Sequence, residues 1–133
     1  DVTFNDGAAF SSETFNTTVM FLKINKNIPV FAMEKEGIIE KIFDRVIAFT
    51  GHKDIDFEMY PDFSKKFLVT GNDESKIRAF FTDSLISFFE NTQIYHLESN
   101  GEGLIIFDKI KLARTDETIA LINYSKQLIR LLK

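Results

Sequence analysis

The sequence predicts an α+β domain: a single, mostly antiparallel sheet of about five or six strands with helices packed on one face. Three observations carry this. The spacing of apolar residues changes from strand-like to helix-like at Gly71, inside the block Asp54 to Glu90. A tight-turn signal, Asn100-Gly101-Glu102-Gly103, joins two runs of strand-forming residues. Extended and helical segments follow in the order β-β-β-α-β-α-β-β-α, which lacks the regular strand–helix alternation of a parallel sheet.

At the amino terminus, Val2 and Phe4 alternate with polar residues, and Asp6-Gly7-Ala8 turns the chain. Ser11 to Asn16 is polar and predicts a hairpin loop. Thr17 to Ile24 (TTVMFLKI) has a β-branched entry and a continuous apolar middle, the pattern of a strand buried on both faces. Pro29 to Met33 predicts the next strand, with Pro29 at its first position, where a missing N–H is tolerated. The first 34 residues thus predict an antiparallel hairpin or meander. Ile38, Ile39, Ile42, Phe43, Val46 and Ile47 recur at helical spacing and predict a helix that stops before Gly51.

The central block is the densest. Ile55-Asp56-Phe57 is extended, and Pro61-Asp62-Phe63-Ser64 is a turn or a single helical turn. Lys66 to Thr70 is aromatic and β-branched, so it predicts a strand. Gly71-Asn72-Asp73 ends it. A positive φ is expected at Gly71 or Asn72, with an Asn72 or Asp73 side-chain oxygen capping a helix that starts near Glu74. Ile77, Phe80 and Phe81 mark that helix. Leu85, Ile86, Phe88 and Phe89 mark a second, capped by Thr82 or Asp83. The four phenylalanines of this pair are expected mostly inside. Ile94 to Glu98 and Leu104 to Phe107 form the carboxy-terminal hairpin. Asp116-Glu117 opens a last helix whose apolar face is Leu121, Ile122, Tyr124, Leu128, Ile129 and Leu131.

Composition narrows the function. The 133 residues suit one domain and include fifteen Phe, no Trp and no Cys. So many phenylalanines imply a Phe-rich core. Without cysteine there is no disulfide framework and no thiolate site. A net charge of −4 argues against a sequence-independent nucleic-acid partner, which needs a basic face. No apolar run reaches the roughly 18 residues of a spanning helix. The chain opens Asp1-Val2 without Met or a signal peptide, so it is expected to be a fragment of a longer protein.

Motifs for chemistry are sparse. Asp54, Asp56 and Glu58 alternate, so on a strand their carboxylates share one face. They resemble the opening of a calcium loop, but Met59 stands where the loop needs glycine. His52 and His96 lie far apart, and no third ligand is spaced for zinc. Ser64, Ser84 and Ser87 lack a nucleophile-elbow context, and no phosphate-binding glycine loop is present. Lys65-Lys66 and Lys109/Lys111 are read as solvated pairs. No catalytic, cofactor-binding or metal residues are therefore assigned. The alternative reading is a carboxylate- or metal-dependent hydrolase using Asp54, Asp56 and Glu58 with His52.

The central block also carries a family resemblance. Ile55-Asp56-Phe57, Pro61-Asp62-Phe63-Ser64, Phe67 to Gly71, Asn72 to Glu74, Arg78-Ala79-Phe80-Phe81 and Thr82 to Phe89 resemble the soluble domain of small, uncharacterised bacterial membrane proteins. Phe31 to Glu36 extends the likeness, Ile94 to Phe107 follows it more loosely, and the amino-terminal hairpin departs most. The resemblance implies one or two transmembrane helices outside this segment, a membrane-anchored protein with the soluble domain on the cytoplasmic side, and no transferable activity. The function expected is a non-enzymatic domain that binds a ligand or a protein partner.

Overall fold

The computed structural model describes residues 2–5, 12–35, 54–108 and 111–133. The expected helix from Ile38 to Ile47, together with Gly51 and His52, lies outside them.

Five strands form one antiparallel sheet: β3 (Met20–Lys23), β4 (Val30–Lys35), β5 (Phe67–Gly71), β6 (His96–Asn100) and β7 (Gly103–Phe107). Their order in space is β3-β7-β6-β4-β5. A separate two-stranded ribbon pairs β1 (Val2–Asn5) with β2 (Ser12–Phe15), from Val2 opposite Phe15 to Asn5 opposite Ser12. Four helices complete the described residues: α1 (Pro61–Lys66), α2 (Glu74–Phe80), α3 (Asp83–Asn91) and α4 (Thr115–Leu132). The α+β class and the antiparallel sheet are as expected.

The strand registers sort the side chains into two faces, because alternate residues point to opposite sides. One face carries Leu22, Phe31, Met33, Val69, Leu97, Leu104 and Ile106. All are buried, and they form the core with residues from the helices. Phe63 of α1 is its hub, with ring centroids 5.2 Å from Phe57, 5.1 Å from Phe67, 5.8 Å from Phe81 and 6.4 Å from Phe89. Aromatic rings prefer such tilted and edge contacts over a face-to-face sandwich. Leu121, Tyr124, Leu128 and Leu132 are the buried face of α4, and Tyr124 lies 5.1 Å from Phe88 of α3.

Several sequence expectations need correction. Within the stretch expected as a loop, Ser12 to Phe15 is a strand that pairs with the first, while Ser11 lies outside the described residues. Thr14 and Phe15 are good strand formers, and pairing outweighed the polar composition. Pro61 to Lys66 is a longer helix than one turn, so Lys66 is its last residue and the strand starts at Phe67. Leu131 is exposed, whereas Phe80 and Phe88 are half-buried against the core.

The third and fourth strands do not form a hairpin. Ile24 N–H donates to Glu102 O (2.9 Å) and Ile28 N–H to Gly101 O (3.1 Å). The connection therefore runs past the β6–β7 turn and delivers β4 to the far side of that hairpin. This leaves β3 as a sheet edge, not a strand buried on both faces. Its apolar run was misleading because only Leu22 is buried, while Phe21 is 57% exposed.

Gly71 does not hold a positive φ; Gly101, at +96°, does. Gly71 is needed for space instead. A Cβ there would run into Ile77 Cδ1 and come 2.8 Å from Val30 O. The capping expectation holds: Asp73 accepts from Lys76 N–H at 3.1 Å, and Thr82 accepts from Leu85 N–H at 3.2 Å.

Candidate functional site

The acidic triplet does not gather into a site. Asp54 is exposed and makes a single bridge to Thr70 at the β5 edge. Ile55 N–H donates to Val69 O at 2.8 Å, which keeps this segment extended only briefly. Glu58 already lies in the turn that leads to α1, so strict alternation ends before it. Asp56 and Glu58 line a shallow groove of about 370 Å³ with Phe57, Tyr60 and Arg78. The Arg78 guanidinium lies 5.5 Å above the Phe57 ring and bonds to Glu74 at 2.8 Å. Its charge is thus held within α2. Nearby, the Tyr60 hydroxyl donates to Asp83, and this bond is the main reason its pKa is raised. Among the described residues no group of three His, Cys, Asp or Glu is arranged to hold a metal ion.

His96 is buried on the second face of the sheet, its ring 4.6 Å from that of Phe107. Its Nε2 lies 3.1 Å from Glu98 Oε2. In the register that pairs Ala32 with Glu98 and Met33 with Leu97, the next step sets buried Glu34 opposite His96. This polar group went unnoticed in the sequence because Glu34, His96 and Glu98 fall on two strands that only the register aligns. Strict alternation within Ile94 to Glu98 was the available signal. Glu34 and His96 are buried and Glu98 is partly exposed, an arrangement that suits holding two strands in register.

The other half of that second face is open. Register places Phe21 beside Ile105, and Val19 shares their side by alternation. Phe21 is 57% exposed, Val19 48% and Ile105 38%. Val30, also on this face, is exposed beyond the β6–β7 turn. The Phe21 ring lies over Gly103, where an added Cβ would come 2.8 Å from it and equally close to Leu22 O. Glycine here lets a large ring lie across the neighbouring strand.

The edge itself adds backbone groups. Since Ile24 points its N–H toward Glu102 of the β6–β7 turn, alternation aims the N–H and C=O of Val19, Phe21 and Lys23 outward. Among the described residues no strand pairs with that side of β3. Apolar side chains thus adjoin unpaired backbone donors and acceptors, the combination that accepts an added strand. Sequence reasoning missed this surface because it read the same residues as interior.

No family model, curated protein or solved structure matches this chain.

Proposed function

We propose that this is a non-enzymatic interaction domain that takes a protein partner at the outer edge of β3. The observation that carries the reading is the coincidence of Phe21, Val19 and Ile105, all exposed, with the open backbone edge. An extended segment laid along β3 would satisfy the outward N–H and C=O groups and cover the Phe21 ring. Lys23, at the end of the strand, favours an acidic residue in the partner. The resemblance to bacterial membrane proteins supports a setting at the cytoplasmic face of a membrane, with the anchor outside this segment.

A photo-crosslinking amino acid at position 21, at native expression level, tests this. A discrete adduct is expected, competed away by excess unlabelled domain and absent when the probe sits at exposed Lys126 on α4. No adduct at position 21, or the same adducts from both positions, overturns the proposal.

A further inference from the structure

Four segments meet at one end of the fold: the loop entering β3, the residues before β6, the end of β7 and the first turns of α4. They border a small, partly open cavity of about 20 Å³, lined by Thr18, Gln93, Tyr95, Asp108, Glu117 and Leu121, with Lys111 and Ala113 completing the wall. That is room for one water-sized group.

The polar groups around it are unevenly satisfied. Thr18 Oγ1 accepts from Ala113 N–H at 2.9 Å, which fixes one wall. Glu117 Oε1 accepts from Arg114 N–H at 3.0 Å, which fixes another. Tyr95 is only 2% exposed, and its hydroxyl makes no hydrogen bond to any described residue. Asp108, half-buried, likewise has no hydrogen bond or ion pair among the described residues. The Tyr95 oxygen, at the end of an otherwise buried side chain, is served by solvent through the cavity, and both it and the half-buried carboxylate can gain from a donor brought there.

Burial raises the Tyr95 pKa, and the charges of Asp108 and then Glu117 raise it further. Among the described residues no cation offsets them at the hydroxyl, although Lys111 is part of the same wall. The hydroxyl therefore sits in a negative field that favours a positive guest.

We propose that this cavity binds the head of a primary ammonium group. An –NH₃⁺ is close to water in size and brings three donors. Among the wall residues, the Tyr95 oxygen, the Asp108 carboxylate and the Gln93 side-chain oxygen are acceptors without partners among the described residues. Leu121 and Ala113 offer apolar wall to the first methylenes of the chain that carries the ammonium. A quaternary ammonium has no N–H to donate and exceeds the space. The ammonium can come from a free alkylamine or from a lysine side chain of a peptide.

Amide-resolved NMR titration of the domain distinguishes these. Propylammonium chloride is expected to shift the amides of Tyr95, Asp108 and Glu117 saturably, while sodium and tetramethylammonium chloride at equal ionic strength do not. A blocked Gly-Lys-Gly peptide that reproduces the shifts assigns the lysine source, and one that fails to do so assigns the free amine. Asp108→Asn keeps the side-chain shape and should weaken binding about tenfold, the scale of one charge-assisted hydrogen bond. Tyr95→Phe, which removes a single oxygen, is the second variant and should weaken it too, and the same spectra report whether each variant is folded. Absence of saturation, an equal response to sodium, or unchanged affinity in both folded variants overturns the proposal.

Discussion

Gly71→Ala separates two explanations of why this position is glycine. If backbone conformation were the reason, Ala would suffer from a positive φ, and Asn would be the mildest replacement. The backbone at Gly71 is not in that region, so the cost must come from contact. A Cβ would press on Ile77 Cδ1 and on Val30 O, the latter at 2.8 Å. Ile77 is fully buried in the core, and Val30 belongs to the strand paired beside Gly71. Neither can withdraw without disturbing packing or pairing. Overpacking of this kind costs roughly 1–3 kcal/mol, and a rigid backbone oxygen argues for about 2 kcal/mol. Urea unfolding followed by circular dichroism measures it. Ile77→Val removes the clashing Cδ1 and by itself loses roughly 0.5–1.5 kcal/mol. The loss in the double variant should fall short of the sum of the two single losses by about 1 kcal/mol, because the pair shares one space. A loss under about 0.5 kcal/mol for Gly71→Ala, or additive losses, would refute the steric account. So would Gly71→Asn proving milder than Gly71→Ala.

Phe63→Ala should cost about 3–5 kcal/mol, because it removes the ring that meets four others, whereas Phe80→Ala at a half-buried position should cost less than half as much. Equal losses in urea melts would show that Phe63 is not the hub. Burial raises Tyr124 far above an ordinary phenol. The folded state therefore keeps a proton that the unfolded chain releases, and stability is unaffected below pH ~10 and falls as pH rises beyond it. Alkaline titration read at the tyrosinate band should show Tyr124 ionising only together with unfolding. A Tyr124 step in folded protein near the normal phenol pKa would contradict its burial.

The central block was legible because its signals are local. Asp73 and Thr82 cap helices through oxygens three residues from the N–H they serve, a distance fixed by chain geometry alone. The aromatic pairs at Phe80-Phe81 and Phe88-Phe89 were also found, but their sharing between core and flank was not. Adjacent residues on a helix point about 100° apart, so only Phe81 and Phe89 reach full burial. Gly71 was located correctly for a different reason than expected. A glycine required by a distant side chain and one required by φ look identical in the sequence. Pro61-Asp62-Phe63-Ser64 looked like a turn, and the residue that decides its role is Phe63, whose neighbours come from α3, β5 and the flanking loops.

The amino-terminal half was harder because its partners lie far along the chain. A run such as Met20-Phe21-Leu22 is compatible with a central strand or with an edge whose outer side chains stay exposed. What decides between them is the position of β7, more than 80 residues later, and the hydrogen bonds from Ile24 and Ile28 to its turn. Those bonds carry the chain past Gly101 and leave β3 outermost. The same two bonds explain the surface proposed for a partner. They hold β3 in register on its inner side, so Val19, Phe21 and Lys23 point their backbone groups outward in a fixed array. A preordered edge loses little entropy when a strand is added, whereas a flexible loop with the same side chains would lose much more. Exposed Phe21 therefore counts for more here than a solitary surface phenylalanine. It sits where backbone pairing and apolar burial would be satisfied by one extended segment, and the glycine beneath its ring gives it the space to lie across the neighbouring strand.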